Sequence, residues 1–236
     1  MVRMDKHKAQ GVLFVVGSPR SGTKLLCGIL NNHDQIMLAS EFDSHARLLK
    51  EWGDNDPHAN FESFFNDLSK SGYFIKCSHR GHKISKESYY KSIEHLTTAE
   101  ALLVFLRYMI RSTRNKDINT SIIGQKSPHL IDRIEIMDRY YPNAKFIHII
   151  RDVRNCALSS RNAWNTNIYR YAQRWYFKNS SYLKYADKNN EDRFITIRYE
   201  DLVNNSERQI RKLCDFLGVS FKNKLDRFNE PTEHYG

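Results

Sequence analysis

The feature that most constrains this fold is an apolar run that leads directly into a glycine-bracketed loop near the start of the chain. Residues 11–16 read Gly-Val-Leu-Phe-Val-Val, a pattern typical of a parallel strand that is covered on both faces. The loop Gly17-Ser-Pro-Arg-Ser-Gly22 follows, and apolar residues then recur on one face of a helix predicted over 23–32. A strand, a tight loop and a helix in this order indicate an α/β architecture.

Strands and helices alternate along the rest of the chain. Further strands are predicted at 36–39, 121–124, 145–150 and 193–199. Helices are predicted at 98–114, 129–140, 153–162, 168–187 and 206–217. Residues 43–96 carry a weaker pattern, which predicts a mostly helical insertion with loops. We therefore expect one domain over residues 1–236, with an α/β, three-layer, P-loop-like fold around a central, mostly parallel sheet.

Charge and cysteine usage narrow the functional classes. The 236 residues include 37 lysines and arginines against 27 aspartates and glutamates, a formal net charge of +10 that favours anionic partners. No apolar run approaches the about 18 residues of a membrane span, so none is expected. The four cysteines stand far apart without the spacing of metal ligands, which predicts buried free thiols, no metal site and a cytoplasmic location.

The glycine loop is a candidate anion site. At a helix N-terminus the backbone N–H groups converge and the helix dipole favours negative charge. Arg20 adds a cation, and Ser21 and Thr23 add hydroxyl groups. A similar loop also serves as a plain strand–helix joint in proteins that bind nothing there. The spacing resembles a Walker A loop, but Lys24 stands one residue later than that motif requires, so a P-loop nucleotide-dependent kinase is the alternative function.

A second cationic segment follows the strand predicted at 145–150. Arg151 stands at the end of that strand, where ligands of parallel sheets gather, and Ser159 follows eight residues later. If a helix begins near Asp152, Ser159 lies about two turns along it and can share one phosphate group with Arg151. The alternative is a helix capped by Asp152 with solvated arginines, which suits Arg154 better than Arg151.

Together these segments resemble the sulfotransferase family. Gly17–Thr23 is similar to the family's 5′-phosphosulfate loop, Arg151–Ser159 to its 3′-phosphate motif, and Arg198-Tyr-Glu-Asp-Leu202 to a segment found downstream. The three motifs occur in the family's order and span most of the chain. The resemblance implies transfer of a sulfuryl group from 3′-phosphoadenosine 5′-phosphosulfate to a hydroxyl or amine of an acceptor such as a carbohydrate, a tyrosine or a small natural product.

The resemblance also implies which residues bind the donor. The 5′-phosphosulfate end would be held by residues of the loop and the start of its helix, namely Ser18, Arg20, Ser21, Gly22, Thr23 and Lys24. The 3′-phosphate would be held by Arg151, Ser159 and Tyr199. No metal ion is implied.

By the same resemblance, three residues would carry the chemistry. Arg20 neutralises the bridging oxygen as the sulfuryl group leaves, Lys126 is a second cation that faces this group, and Glu41 is the base that takes the acceptor's proton. Lys126 can also be read as an ordinary surface lysine, and Glu41 as a carboxylate that caps the next helix. His79 and His82 are the rival bases.

Other conspicuous side chains are interpreted as structural. His148, in the middle of a predicted strand, is expected to be a core histidine with hydrogen-bond partners. Tyr171, Trp175 and Tyr182 recur at helical spacing and are expected to pack. Trp164 could stack on an adenine or on an aromatic acceptor.

One part of the family pattern is not evident. Many members carry a basic, glycine-containing segment near the C-terminus that completes the 3′-phosphate site, whereas residues 229–236 read Asn-Glu-Pro-Thr-Glu-His-Tyr-Gly. Lys222 and Lys224 are candidates to close the site instead. The sequence also shows no N-terminal membrane anchor, which agrees with the expected cytoplasmic location.

The basic surplus leaves one non-enzymatic alternative, a module that binds nucleic acid or heparin. Such a module predicts one contiguous basic stripe. Here the arginines of interest stand at strand–helix junctions, as they do in small-ligand sites. We therefore expect a nucleotide donor as partner, no nucleic acid, and an acceptor whose class the charge biases towards acidic molecules.

Overall fold

The centre of the structure, a computed structural model that describes residues 11–114, 121–189 and 191–222, is a five-stranded sheet. Its strands are β1 (Gly11–Val16), β2 (Ile36–Ser40), β3 (Ile122–Lys126), β4 (Lys145–Ile150) and β5 (Phe194–Arg198). Their order is β2-β3-β1-β4-β5, and every neighbouring pair is parallel. The predicted parallel sheet is confirmed, with β1 at its centre.

Helices account for most of the remaining chain. They are α1 (Thr23–Asn31), α2 (His45–Trp52), α3 (Phe61–Ser69), α4 (Gly72–His79), α5 (Lys86–Ser92), α6 (Thr98–Arg114), α7 (Ile134–Tyr140), α8 (Val153–Trp164), α9 (Ile168–Lys188), α10 (Tyr199–Asn204) and α11 (Ser206–Leu217). Five of them, α2 to α6, lie between β2 and β3 and confirm the predicted helical insertion. Within the described ranges, no helix combines the length and the apolar character needed to cross a membrane.

The core lies on both faces of the sheet. Phe14 and Val16 of β1 belong to one apolar cluster, which α2, α3, α6 and α7 cover. Leu13 and Val15 point to the other face, where α1 and α11 cover them. Because both faces of β1 are buried, its sequence is a continuous apolar run rather than an alternating one. The arrangement confirms the predicted three layers.

Several element boundaries differ from the sequence-based expectations, and three of these differences lie near the carboxyl ends of the strands or the helices that follow them. Strand β3 runs on to Lys126, since Gln125 and Lys126 are buried although polar. The helix predicted at 129–140 begins as a 3₁₀ turn over Pro128–Arg133, a common form of helix start, before α7. The last predicted strand ends at Arg198, and α10 follows at once.

Candidate functional site

The loop after β1 is tightly enclosed at both glycines. Gly22 has a φ of +100°, and a Cβ there would lie 2.4 Å from Cδ2 of Tyr199. A Cβ at Gly17 would lie 2.5 Å from the Ile149 carbonyl oxygen. The Ser21 N–H donates to the Ser18 carbonyl at 3.1 Å and closes the turn, and α1 begins one residue after Gly22. Only glycine fits these two positions, which explains the spacing of the motif.

Arg151 joins the end of β4 to this loop. Its guanidinium carbon lies 4.3 Å from the centre of the Tyr199 ring, and that ring packs on Gly22. One Arg151 Nη1–H donates to the Arg20 carbonyl at 3.2 Å. The structure therefore brings together Arg151, Tyr199 and the loop, as the donor-site prediction requires.

Arg20, in the loop itself, contacts α8 on the same side of the site. Its Nε–H donates to Ser159 Oγ on α8 at 2.9 Å, and its guanidinium carbon lies 5.3 Å from the centre of the Trp164 ring. The Arg20 backbone has a φ of +69°, a left-handed conformation that costs about 1–2 kcal/mol in a residue with a Cβ. Such outliers cluster at functional sites because the surrounding structure must enforce them.

Asp152 bonds to Arg154 and so distinguishes it from Arg151, the other arginine that follows β4. Asp152 caps α8 by accepting from the Arg154 N–H at 2.8 Å, and it also pairs with the Arg154 guanidinium at 2.6 Å. The Arg154 side chain and the Arg154 N–H hold the pKa of Asp152 well below its usual range. The interpretation of solvated arginines beside a cap is thus correct for Arg154 and wrong for Arg151.

Glu41 and Lys126 form an ion pair at the ends of β2 and β3. The Lys126 Nζ donates to Glu41 Oε1 at 2.6 Å; the lysine side chain is 2% exposed and the glutamate side chain 44%. The Glu41 N–H also donates to the Lys126 carbonyl at 2.7 Å, and Glu41 has a φ of +64°. The surface-lysine interpretation of Lys126 is therefore wrong. Glu41 caps no helix either, because α2 begins at His45 with Ser44 at its cap position.

The charge of Glu41 is stabilised by its neighbours. Burial by itself raises the pKa of this carboxyl, but the positive charge and hydrogen bond of Lys126, with smaller contributions from Lys76 and His129, outweigh burial. The net direction of the pKa is down. Glu41 is therefore a carboxylate at neutral pH and can accept a proton.

The segments after β2 and β3 are bonded at further points that the sequence did not reveal. Ser127 Oγ donates to Asp43 Oδ1 at 2.5 Å, and the Gln125 amide donates to His45 Nδ1 at 3.2 Å. The Tyr141 hydroxyl donates to the Ala99 carbonyl, so His45 Nε2, 2.6 Å from that hydroxyl, carries the proton. Burial lowers the pKa of His45 to about 3, so the ring is neutral. These bonds hold the segments that carry Glu41 and Lys126 against each other.

The other residues predicted to bind the sulfuryl donor lie in the loop and in the first turn of α1. Ser18, Ser21 and Thr23 are buried, and Lys24 is exposed on the first turn of α1. The Ser18 hydroxyl accepts from the Asn179 amide at 2.9 Å. Ser21 Oγ is fully buried and has no hydrogen-bond partner among the described residues.

The structure also describes both rival bases and one of the two candidate closing lysines. His79 is the last residue of α4 and His82 follows in the next turn; within the described part of the chain, neither imidazole hydrogen-bonds to Glu41 or Lys126. The Lys222 ammonium pairs with Asp34 just before β2, at the edge of the sheet opposite the loop. Lys222 is therefore not placed to close a 3′-phosphate site beside Arg151. Lys224 and the chain end at 229–236 lie outside the described residues.

Two contacts at the site were not anticipated. Trp164, the last residue of α8, could have been placed near Arg20 because the same helix carries Ser159. Asn179 had a clearer signal, since it shares the buried stripe of α9 with Tyr171 and Tyr182. A polar residue on a buried stripe has a hydrogen-bond partner in most proteins.

Comparison with known proteins agrees with this geometry. The family model described as the sulfotransferase family matches residues 13–223. Protein-tyrosine sulfotransferase A of Caenorhabditis elegans is 22% identical over 236 residues, which cover 95% of this chain and 54% of that protein. The chain thus spans about half the length of this curated relative.

Solved structures show the same fold. The sulfotransferase domain of the Synechococcus PCC 7002 olefin synthase has a TM-score of 0.65 at 21% identity, over 96% of this chain and 80% of that one. The sulfotransferase domain from the curacin biosynthetic pathway has a TM-score of 0.59 at 21% identity, with the same coverage of 96% and 80%. The family match includes the loop, Glu41, Lys126 and the segment from Arg151 to Tyr199, and this chain belongs to the sulfotransferase family.

Proposed function

We propose that this protein transfers a sulfuryl group from 3′-phosphoadenosine 5′-phosphosulfate to a hydroxyl or amine of an acceptor. One observation carries the proposal: Arg20, bonded to Ser159, and Arg151, stacked on Tyr199 and bonded to the Arg20 carbonyl, lie together at the glycine loop. A donor with anionic groups at both its 5′ and 3′ ends needs two such cationic positions. Membership of the sulfotransferase family supports sulfuryl rather than phosphoryl transfer.

The unsatisfied polar groups of the site fit such a donor. Ser21 Oγ and Arg151 Nε are both buried and lack hydrogen-bond partners among the described residues. A buried polar group that stays unpaired costs about 1–3 kcal/mol. Both groups can donate, and phosphate oxygens are the acceptors they lack. Helix α1 begins at this loop, and the dipole at its N-terminus favours the same anionic ligand.

The residues of this chain supply the remaining requirements of an in-line transfer. The bound donor supplies the sulfuryl group, and the acceptor's oxygen or nitrogen is the nucleophile. Glu41 accepts the acceptor's proton at a carboxylate oxygen, and Arg20 stabilises the negative charge that develops at the leaving phosphate. Lys126 stabilises charge at the transferred group.

The Glu41–Lys126 pair couples these two roles. At rest, the Lys126 ammonium neutralises Glu41 and lowers its pKa. When the ammonium turns towards negative charge that builds up during transfer, this lowering is lost and the pKa of Glu41 rises. The carboxylate then becomes a stronger base at the moment when the acceptor's proton must leave.

The acceptor is proposed as a class only. The printed name of the curated relative makes a tyrosine hydroxyl one candidate, beside carbohydrates and small natural products. The net charge of +10 favours acidic acceptors among these. A cytoplasmic location remains a prediction from the cysteine usage.

Calorimetric titration with 3′-phosphoadenosine 5′-phosphate in EDTA, with ATP as the comparison ligand, tests the proposal. We expect metal-independent binding that weakens at least about 100-fold in Arg151→Ala and in Arg20→Ala, because each removes a charge-assisted contact. Arg154→Ala is the matched control: it removes an arginine three residues from Arg151 that pairs with Asp152, and should change affinity less than about twofold. No binding, or ATP binding only after Mg²⁺ is restored, contradicts the proposal and favours the kinase.

A further inference from the structure

A buried chain of hydrogen bonds runs from the sheet to the loop after β1. Thr196 Oγ1 on β5 lies 3.3 Å from His148 Nδ1 on β4, and His148 Nε2 lies 2.8 Å from Asn179 Oδ1 on α9. The Asn179 amide then donates to Ser18 Oγ in the loop at 2.9 Å. His148, Asn179 and Ser18 are each no more than 2% exposed. His148 is therefore the core histidine with partners that its position predicts, and its partner leads to the candidate site.

The Trp175 carbonyl fixes the direction of this chain. The Asn179 amide nitrogen also donates to it at 2.6 Å, and a carbonyl oxygen can only accept. Reversing the amide would set two acceptors against each other, so Asn179 Oδ1 faces His148 and His148 Nε2 carries the proton. Burial lowers the pKa of His148 to about 4, so the ring is neutral at pH 7 and its Nδ1 accepts from Thr196.

Each hydrogen bond in this series is therefore donated in the direction of the loop. Hydrogen bonds aligned in this way polarise one another and strengthen by about 10–30% each. Ser18 Oγ accepts from Asn179, which leaves the Ser18 proton available for donation. Helix α9 also holds the loop at a second point, where the Tyr171 hydroxyl donates to the Pro19 carbonyl. Two turns of one helix thus set the path of the loop before Arg20.

We propose that Asn179, oriented by His148, is a positioning residue that sets the conformation of the donor-binding loop, an inference that rests on the donor site proposed above. Asn179 touches neither reacting group. It acts through Ser18, whose carbonyl accepts the Ser21 N–H and thereby closes the turn that presents the loop amides. Loss of Asn179 should loosen the loop and weaken donor binding while the rate at saturation stays close to that of the parent.

The same helix offers a matched control. Asn189 donates to the Tyr185 carbonyl at 2.6 Å, the same bond to the residue four positions earlier that Asn179 makes to Trp175. Asn189 is the C-cap residue of α9, and among the described residues it forms no hydrogen bond to the loop. Asn189→Ala therefore removes the bond to the carbonyl four positions earlier, whereas Asn179→Ala removes the corresponding bond and also the links to His148 and Ser18.

Two measurements test the role of Asn179, and the first needs no ligand. Hydrogen exchange of the amides at 17–23 in the ligand-free protein should quicken several-fold in Asn179→Ala and stay at the parental rate in Asn189→Ala. Titration with 3′-phosphoadenosine 5′-phosphate should show about tenfold weaker binding in Asn179→Ala only, as expected for one lost buried hydrogen bond. The KM for the donor should rise by a similar factor, with kcat within about twofold of the parent.

Variants of the partner residues separate positioning from general packing. In His148→Gln the side-chain amide can still donate to Asn179 and should restore near-parental loop exchange, whereas His148→Phe cannot and should resemble Asn179→Ala. Adding Asn179→Ala to Ser18→Ala should cause little further loss, because both changes break the same link.

Equal loop exchange and equal affinity in Asn179→Ala and Asn189→Ala would overturn the inference, and so would additive losses in the double variant. Failure of the parent protein to bind the nucleotide would instead overturn the donor site. The exchange comparison would then still decide whether Asn179 positions the loop.

Discussion

Two groups of charged residues at the carboxyl edge of the sheet are organised in opposite ways. On the β2–β3 side, the buried Lys126 ammonium is neutralised by Glu41 at 2.6 Å. On the β1–β4 side, Arg20 and Arg151 bond to a hydroxyl, a backbone carbonyl and aromatic faces, and neither forms an ion pair with a carboxylate within the described ranges. One side keeps its cation compensated, and the other keeps two cations uncompensated.

Under the proposed function, this difference separates binding from chemistry. Uncompensated guanidinium groups repel each other, and an anionic ligand removes that repulsion, so we propose that the β1–β4 side binds the donor in the ground state. A compensated ammonium gains little from a ligand until negative charge develops nearby, so we propose that the β2–β3 side acts during the reaction. Changes on the two sides should therefore affect different measured quantities.

The largest expected effect is on turnover after removal of the proposed base. Glu41→Gln should lower kcat about 10³-fold, because a positioned base contributes about 10²–10⁴-fold, and should leave nucleotide affinity unchanged. Steady-state rates and calorimetry on the same preparation check this. Glu62→Gln, which neutralises an exposed carboxylate paired with Lys86 in the insertion, is the control. A decrease in kcat of less than tenfold would show that Glu41 is not the base, and His79 and His82 would again be the candidates.

The next effect is an asymmetry in stability between the two halves of the ion pair. Glu41→Gln leaves a buried ammonium without a counter-ion and should cost about 1–3 kcal/mol of unfolding free energy, less than in a fully buried pair because Glu41 is 44% exposed. Lys126→Met leaves a carboxylate that is 44% exposed and can be solvated, so it should cost less than about 1 kcal/mol. Urea denaturation of both variants measures the difference. Equal losses would mean that the ammonium is solvated as well as the carboxylate is.

A smaller effect concerns the pH dependence of turnover. The pKa of Glu41 is lowered mainly by Lys126 and less by Lys76, so the base stays ionised below the ordinary pKa of a glutamate. Removing a neighbouring cation disfavours the carboxylate, and the acidic limb of the kcat profile should move to higher pH. The shift should be larger in Lys126→Met than in Lys76→Met. Acidic limbs that coincide with that of the parent in both variants would show that a different group titrates there.

The smallest expected effect is at Trp164, which stacks on Arg20 at the exposed rim. A cation–π contact at such a site contributes about 0.5–1 kcal/mol, so Trp164→Ala should raise the KM for the donor by about two- to fivefold, and Trp164→Phe should recover part of the loss. Tyr176→Ala removes a similarly exposed aromatic side chain from α9 and serves as the control. Identical kinetics in the alanine and parent enzymes would show that Arg20 needs no such support.

The sequence predicted the sheet well, and it singled out candidate site residues after the strand ends, because both kinds of feature have a local signature. Buried parallel strands are continuous apolar runs, and site residues of such sheets follow the strand ends. The contacts between the motifs had no local signature. Lys126 and Glu41 are 85 positions apart, and Asn179 and Ser18 are 161 apart. Their meeting depends on β3 lying between β2 and β1 and on where α9 crosses the loop, which residue propensities do not encode.

The left-handed backbone at Arg20 has a consequence for how this chain would respond to selection for heat resistance. Asparagine adopts that conformation more readily than arginine, so Arg20→Asn would relieve local strain and raise the melting temperature. The same substitution removes the guanidinium. Stability and turnover are therefore opposed at this position, and thermally selected descendants would be expected to drift towards inactive scaffolds there unless activity is screened alongside.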